Sequence, residues 1–498
     1  MTPDPTAPDP IATDRAAPTA ESIGTQPGPA PSASTTALAR SPSLVHATLA
    51  ALALRALLMP LSLLQGSVLA RALGPAGLGL YSAALVDVNL WVALLSFGLP
   101  GGLALVVGES RRHADEARRL SALRRLSLRQ GVLLLAITIA AVPTYTWLSS
   151  RVRLPPRTLA LLLICAVLGV AQFARDVQNA LLWGGQRFAA QNRINGAVQI
   201  ALSGALLILW RLGVLNTDSA LLLQLASHVL WIAASQVAFA QQSPAAPPAI
   251  DTVSAALASS ATDKPNRLDQ DAAALRARRI GLRSYIGVLL DLLLLRIDVY
   301  LIERLVPAAI MTHDLGLYQA GVRIAELVLF VPSTLNAVLF AKAAAREDVT
   351  RITLRAAKLA LWLGGLSLLA MFFVGQPLLV MFFGARFSGS FVPCLWVLGG
   401  CVATCFASPL AGTLSGEHGY PRAILLSQLA ALGVNVAANL ILLPRHGIVG
   451  AAMASTLAYG TSAFLITASF ARRYRVPWRQ LLVPETPWTL WRALRSGE

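Results

Sequence analysis

The sequence predicts an all-α polytopic membrane protein of about twelve transmembrane helices in two six-helix lobes, related by a pseudo-twofold axis along the membrane normal. Three observations predict this class. Of the 498 residues, 55% are hydrophobic and 13% are charged, whereas soluble domains carry about 25% charged residues. The apolar residues form runs long enough to cross a hydrocarbon layer about 30 Å thick as helices. Finally, the stretch LGLY occurs twice, at residues 78–81 and 315–318.

The apolar runs set the predicted span boundaries. The spans cover residues 44–69, 77–107, 131–149, 158–182, 195–214, 219–241, 284–303, 315–341, 356–374, 390–415, 421–443 and 447–470. The preceding segment is rich in Pro, Ala, Thr and Ser and has no basic stretch followed by an apolar core, so it predicts a disordered tail and not a signal peptide. The resulting division is a tail at 1–42, an N-lobe at 43–241, a linker loop at 242–283, a C-lobe at 284–475 and a tail at 476–498.

The position of arginine predicts the orientation of the chain. The net charge of +17 comes almost entirely from arginines between apolar runs. They are concentrated in the even-numbered loops, so the positive-inside rule places both termini and the 242–283 loop in the cytoplasm. The end of that loop, DAAALRARRIGLR, fits a short basic helix on the membrane surface. This topological interpretation accounts for the charge without a nucleic-acid partner.

The doubled LGLY predicts an internal repeat. Six spans separate the two copies, and an even number leaves the second half in the same orientation as the first, as in a parallel repeat. The alternative is chance similarity between helices rich in leucine and alanine. Each glycine is expected to let the chain turn from an external hairpin into a span. Each tyrosine is expected at the membrane interface, where both its ring and its hydroxyl are accommodated.

Ionisable groups inside spans are costly, so they are functional candidates. Asp291 and Asp298 are seven residues apart and share a helix face, and Arg323 can pair with Glu326 three residues later. Alignment of the two halves places Gln65 opposite Asp298. The charged or titratable residues within spans are Arg55, Asp87, Arg175, Asp176, His228, Asp291, Arg296, Asp298, Arg323 and Glu326.

A structural role for these charges is the alternative. They would then be ion pairs that let helices pack: Arg323 with Glu326, Arg296 with a neighbouring aspartate, and Arg175 with Asp176. The single His228 fits packing better than proton transfer. Small residues that open the last span are interpreted as a close-packing surface, namely Gly447, Gly450, Ala451 and Ser455.

The sequence favours a protein that is not an enzyme and has no cofactor. It contains no HExxH, GxSxG or Walker motif, and its loops are too short for a catalytic domain. Cys401 and Cys405 are one helical turn apart, but no histidine or further cysteine joins them at a metal-site spacing. We therefore predict no metal site.

Three segments resemble polysaccharide biosynthesis flippases, the Wzx-like O-antigen branch of the MOP (MATE-like) superfamily. LARALGPAGLGLYSAALVDVNLWVALLSFGLPGGLALV resembles the opening hairpin of that family, and LGLYQAGVRIAELVLFVPSTLNAVLF resembles the matching segment of its second half. NVAANLILLPRHGIVGAAMASTLAYG is similar to its eleventh and twelfth spans. The likeness covers about residues 44–475. Lipid II flippases usually have more spans, which favours the O-antigen or exopolysaccharide branch.

The resemblance implies a bacterial inner-membrane flippase that moves polyprenyl-diphosphate-linked oligosaccharide by alternating access. It implies a membrane-potential drive or H+ or Na+ antiport, with polysaccharide polymerase and chain-length or export proteins as candidate partners. The cavity cations would be Arg55, Arg175, Arg296 and Arg323, of which Arg55 lies where that family commonly has a phosphate-binding group. Ion-coupling or polar cavity groups would be Asp87, Asp298, Glu326, Gln65 and Asp176.

Two alternatives remain open from the sequence. One is a cation-coupled exporter of small molecules, like the MATE proteins. That exporter often has an acidic residue in span one, where this chain offers Arg55 and Gln65. The other is a membrane scaffold of a polysaccharide assembly complex that transports nothing itself.

Overall fold

The computed structural model describes residues 44–110, 116–151, 158–240, 267–330, 332–336, 339, 349–418, 422–482 and 485. The tail expected at 1–42, the linker residues 242–266 and most of the C-terminal tail lie outside these residues. Within the described ranges, the regular structure consists of α-helices and short 3-10 helices, with no strand.

The described residues of the first half of the chain form six helices. They are α1 (Leu44–Ser96), α2 (Leu99–Ser110), α3 (Glu116–Arg151), α4 (Leu159–Gly184), α5 (Phe188–Arg211) and α6 (Thr217–Ala240). A break at Gly74, where φ is 65° and ψ is −179°, divides α1 into two arms. Glycine adopts this left-handed backbone at little cost, so the turn between the first two predicted spans falls on Gly74.

The second half forms a matching series. It consists of α7 (Arg267–Leu305), α8 (Ala308–Glu326), a 3-10 turn (Leu327–Leu329), α9 (Thr350–Phe383), a 3-10 segment (Ala385–Ser390), α10 (Phe391–His418), α11 (Arg422–Arg473) and α12 (Trp478–Leu482). A break at Gly447, with φ of 57°, divides α11 in the same way. The last two predicted spans are therefore the two arms of α11.

Seven helical stretches of the described chain are long and apolar enough to cross a membrane. They are Leu58–Ser96, Leu159–Gly184, Phe188–Arg211, Thr217–Phe239, Thr350–Phe383, Ala385–Gly416 and Arg422–Arg473. The first and last of these contain the breaks at Gly74 and Gly447, so each holds two arms. The other predicted spans fall on α3, α7 and α8. The prediction of an all-α polytopic membrane protein is confirmed.

Each half is held together by its own helix contacts. In the first half, α4 packs against α2, α3 and α6, and α5 packs against α6. In the second half, α10 packs against α8, α9 and α11, and α11 also packs against α7. The halves meet where α7 contacts α2 and α3. Polar groups on α7 are consequently close to both halves.

The start of α7 differs from the sequence expectation. The helix begins at Arg267, so residues 267–283 continue into the predicted span and do not form a separate surface helix. Close packing explains this extension: a Cβ on Gly98 would lie 2.2 Å from the carbonyl oxygen of Gly281, and one on Gly102 would lie 2.0 Å from that of Ala277. Glycines that permit such close approach are typical of membrane helix interfaces.

The two LGLY copies pack against each other. A Cβ on Gly79 would lie 1.9 Å from the carbonyl oxygen of Thr312, and one on Gly316 would lie 1.8 Å from that of Pro75. Reciprocal contact between equivalent positions is what a twofold axis produces. The expected roles were wrong: both glycines serve helix packing, the turn falls on Gly74, and Tyr81 and Tyr318 are buried at 5% and 2% exposure.

Candidate functional site

An ion pair joins α7 to α8 inside the membrane region. The Arg296 guanidinium donates two hydrogen bonds to the Glu326 carboxylate, from Nη1 to Oε1 at 2.9 Å and from Nη2 to Oε2 at 3.1 Å. The planar arginine fork matches both carboxylate oxygens, which makes this geometry strong. The expected pairing of Arg323 with Glu326 was wrong, as was that of Arg296 with an aspartate, because this bidentate pair between neighbouring helices uses both partners.

Arg323 is left without a hydrogen-bonded counter-ion by that pairing. Within the described part of the chain, its guanidinium has no hydrogen bond and no ion pair, and the side chain is half-buried. Its Nη1 lies 3.8 Å from the position that a Cβ on Gly66 would occupy. The guanidinium therefore faces the first arm of α1, across the boundary between the two halves. It also interacts electrostatically with Tyr81, Arg296 and Glu326.

Asp298 lies at the centre of a buried hydrogen-bond network. Its Oδ2 accepts hydrogen bonds from the Tyr318 hydroxyl at 2.8 Å and the Ser455 hydroxyl at 2.5 Å. Its Oδ1 accepts one from Nδ2 of Asn439 at 2.9 Å. The Asn439 Oδ1 and the Asn435 Nδ2 are buried and have no partner among the described residues. The site thus joins a carboxylate, two hydroxyls and an amide oxygen that lacks a donor.

The sequence interpretation missed most of this network. Ser455 was assigned to close packing, and Tyr318 was expected at the membrane interface. The spacing of Asn435 and Asn439 by four residues was the available signal, since it places two amides on one face of a predicted span. Asp298 itself was correctly singled out as a buried charge, at 2% exposure.

A polar cavity of about 390 Å³ lies within the first half and opens between α1, α4, α5 and α6. Arg175 lines it and donates to Asp176 Oδ1 at 3.0 Å, with His228 Nδ1 3.5 Å from its other terminal nitrogen. The predicted interhelical clamp is therefore a pair of adjacent residues on α4 that also contacts α6. Leu327 and Phe330 of the second half complete the wall.

Gln65 belongs to a network of amides and hydroxyls at this cavity. Its Nε2 donates to the Ser203 hydroxyl at 3.0 Å, and its Oε1 accepts from Nε2 of Gln199 at 3.2 Å. Gln199 also donates to the Ser62 hydroxyl at 3.0 Å. Both Ser62 and Gln199 line the cavity. The network links α1 to α5 and fixes the direction of these polar groups.

A second cavity, of about 410 Å³, lies within the second half. Asp291 is exposed to it and accepts a hydrogen bond from Nε2 of Gln428 at 3.2 Å. Its wall combines hydroxyl and amide groups with leucine and isoleucine side chains. Asp291 is the one ionisable carboxylate of this wall among the described residues.

One predicted site residue, Asp87, is not brought to this region, and the placement of Arg55 is not tested. Asp87 lines a separate cavity of about 70 Å³ with Trp91 and Thr138, between α1, α3 and α4. The backbone of Arg55 lies in α1, but its side chain is outside the described ones. The structure thus assembles Arg296, Glu326 and Arg323 near the boundary of the halves, with Asp298 buried beside them.

Three solved structures with the same fold are a flippase and two transporters. A lipid II flippase, MurJ, in an inward closed conformation has a TM-score of 0.64 at 13% identity, covering 86% of this chain and 88% of its own. An inward-facing multidrug resistance MATE transporter of the MOP superfamily has a TM-score of 0.62 at 17% identity, covering 83% and 94%. A MOP superfamily transporter from Pyrococcus furiosus has a TM-score of 0.59 at 17% identity, covering 86% and 95%.

The chain shares the fold of these solved transporters. No family model matches the sequence, and no curated protein matches it significantly. At these identities the similarity concerns the fold, and substrate and mechanism depend on the residues of this chain.

Proposed function

We propose that the protein is a flippase that moves polyprenyl-diphosphate-linked oligosaccharide repeat units across the bacterial inner membrane for exopolysaccharide or O-antigen synthesis. The polyprenyl tail of such a substrate is stable in hydrocarbon, whereas its head carries phosphate charges and many hydroxyls. A charge at the bilayer centre is costly, so the head needs a wet, cationic path. Alternating access between two lobes would provide that path.

The observation that carries the proposal is the guanidinium of Arg323, which has no hydrogen bond to any described residue. It lies within the membrane region and faces α1 across the boundary of the halves, and the Glu326 carboxylate that interacts with it electrostatically is hydrogen-bonded to Arg296. A buried charge without a partner is expensive, so its retention favours an anionic ligand that binds in part of the cycle. Arginine suits phosphate because its planar fork donates parallel hydrogen bonds.

The membrane potential is a sufficient source of energy for this direction of transport. One elementary charge moving through 100 mV is worth about 2.3 kcal/mol, and the export of a negative head from a negative interior is favourable. Counter-movement of H+ or Na+ would add to this drive. Asp298 is the candidate group, because its carboxylate neighbours the Asn439 Oδ1, which has no donor among the described residues.

The remaining assignments follow from this function. With the arginine distribution of the sequence, both termini are proposed to be cytoplasmic. The proposed partners are lipid-linked oligosaccharide, membrane lipid, a counter-ion and the polymerase and chain-length or export proteins of polysaccharide assembly. Arg55 and Arg175 remain candidate cavity cations, and Glu326 serves to hold Arg296.

The test replaces the chromosomal gene for this protein in the native host with a copy that encodes the Arg323→Gln variant. We expect surface polysaccharide to fall by at least about tenfold, the equivalent of roughly 1.4 kcal/mol of lost phosphate binding, while the lipid-linked precursor accumulates. The matched control is Arg211→Gln at the exposed end of α5, which should leave both quantities unchanged. Unchanged polysaccharide in Arg323→Gln cells with normal protein levels would refute the proposal.

A second candidate is a cation-coupled exporter of small molecules. The cavity of about 410 Å³ with exposed Asp291 favours it, since cavities of about 300 to 1,000 Å³ suit small ligands and a carboxylate suits a cation. In this case Asp291→Asn should change tolerance to cationic dyes and leave surface polysaccharide intact. Surface polysaccharide and tolerance to cationic dyes, both measured in Arg323→Gln and in Asp291→Asn cells, therefore separate the flippase from the small-molecule exporter.

A further inference from the structure

We infer that the cavity of the first half holds the sugar portion of the substrate, and that Gln224 and Asn195 select it by hydrogen bonding to its hydroxyls. The inference rests on the proposed function, because it divides the head group of a lipid-linked oligosaccharide into two parts. The phosphates would be bound at Arg323 and the sugar in the cavity of about 390 Å³.

The first argument is the presence of polar groups without partners at the cavity wall. Gln224 of α6 lines the cavity, and its side-chain amide has no hydrogen bond within the described ranges. Asn195 of α5 uses its Oδ1 to accept a hydrogen bond from the Trp231 indole at 2.8 Å, which leaves its amide nitrogen available. Such groups favour a ligand rich in hydroxyls, because each hydroxyl both donates and accepts.

The second argument is the rigidity of the surrounding side chains. Gln199 is fixed by hydrogen bonds to Gln65 and Ser62, and Asn195 is fixed by the indole of Trp231, which is only 4% exposed. A site whose polar groups are already oriented loses less side-chain entropy on binding. It also rejects a ligand that lacks the matching hydroxyl, since its buried polar groups are then unpaired.

The third argument is charge. The cation of this cavity, Arg175, is already compensated by Asp176 at 3.0 Å, so it offers little excess charge for a diphosphate. Arg323 has no hydrogen-bonded carboxylate among the described residues, because Glu326 directs both of its carboxylate oxygens to Arg296. A head group with anionic and neutral parts would therefore divide between the two sites, with the neutral sugar in the cavity of the first half.

The fourth argument is proximity along two helices. Leu327 lines the cavity and follows Arg323 by four residues, which is about one helical turn. Ser62 also lines the cavity and precedes Gly66, the residue beside the Arg323 guanidinium, by four residues. One turn rises about 5.4 Å. A sugar attached directly to a phosphate held at Arg323 can thus reach the cavity.

The experiment compares two probes on the purified full-length protein. One is bare polyprenyl diphosphate, and the other is lipid-linked oligosaccharide extracted from the native host. Their dissociation constants are measured by native mass spectrometry for the wild type, Gln224→Met and Arg323→Gln. Methionine keeps the approximate volume of glutamine but forms no comparable hydrogen bond. The matched control is Gln236→Met on the exposed face of the same helix.

We expect the wild type to bind the glycosylated lipid more tightly than the bare one. Gln224→Met should weaken binding of the glycosylated lipid by about threefold to tenfold, as expected for one or two neutral hydrogen bonds. It should leave binding of the bare lipid unchanged, whereas Arg323→Gln should weaken both. Gln224→Glu, which keeps an acceptor, should recover part of the loss.

Two failures have different meanings. Equal effects of Gln224→Met on both probes, or no effect on either, would overturn the placement of the sugar while leaving the flippase proposal intact. If the wild type binds neither bare polyprenyl diphosphate nor lipid-linked oligosaccharide, the flippase proposal itself is overturned. Thermal unfolding of each variant shows whether a loss comes from misfolding.

Discussion

Gly79 and Gly316 lie directly against each other, and each occupies the equivalent position in its own half of the chain. The backbone nitrogen of Gly316 would be 2.9 Å from a Cβ on Gly79, and that of Gly79 would be 3.1 Å from a Cβ on Gly316. The repeat in the sequence is therefore also a contact in the structure. It joins the second arm of α1 to α8 at the boundary of the halves.

A single methyl group at this contact should destabilise the protein. Gly316→Ala places a Cβ 1.8 Å from the carbonyl oxygen of Pro75, so the two helices must separate. We expect a loss of about 1–3 kcal/mol, the usual cost of overpacking, seen as a lower melting temperature of the purified protein. The double variant Gly79→Ala/Gly316→Ala should cost less than the sum, because both changes separate the same helices.

The control for this prediction is Gly460→Ala on α11. A Cβ there meets no atom within 4 Å, and alanine is the better helix former. Its melting temperature should equal or slightly exceed that of the wild type. Equal effects at Gly316 and Gly460 would contradict close packing of the repeat.

The pair of Arg296 with Glu326 should show strong coupling. Arg296→Gln removes both charge-assisted hydrogen bonds of the half-buried Glu326 carboxylate, whose side chain is 24% exposed. Breaking a buried pair by removing one partner costs roughly 3–5 kcal/mol. We expect the double variant Arg296→Gln/Glu326→Gln to be more stable than either single variant in thermal unfolding. Additive losses would show that the two groups do not depend on each other.

Asp298 should control the dependence of transport on an ion gradient. In proteoliposomes with extracted lipid-linked oligosaccharide, an imposed sodium or proton gradient should accelerate transport by the wild type. Asp298→Asn removes the charge from the network with Tyr318 and Ser455, so this acceleration should disappear. Asp218→Asn, an exposed acid in the first turn of α6, is the matched control and should respond normally. A normal gradient response in Asp298→Asn would exclude this role.

The residue Glu485 should stabilise the N-terminal half of α9. Its carboxylate accepts a hydrogen bond from the Lys358 ammonium at 2.5 Å, and its backbone carbonyl accepts one from the Trp362 indole at 2.9 Å. Glu485→Gln leaves a lysine of 9% exposure without its counter-ion. We expect a loss of about 1–3 kcal/mol, largely recovered in the double variant with Lys358→Met. Thermal unfolding of the purified single and double variants in detergent measures the loss and its recovery.

The candidate site could be predicted in part. Arg323, Glu326, Arg296 and Asp298 were identified because a charge within an apolar run is visible in one chain. Their partners were not, since Glu326 had two arginines within reach and helix rotation selects between them. Ser455 and Asn439 gave only weak signals, because small polar residues are common in membrane helices for packing alone.

The sequence by itself determined the helical class, the positions of the spans and the division into two related halves. These follow locally, because hydrocarbon forces each apolar run to satisfy its backbone hydrogen bonds within itself. Tertiary structure decided that the repeated glycines contact each other, that Glu326 binds Arg296 and leaves Arg323 without a hydrogen bond to any described residue, and which amides face the cavity. These depend on the rotation and separation of helices distant in the chain, which side-chain packing across the whole bundle sets.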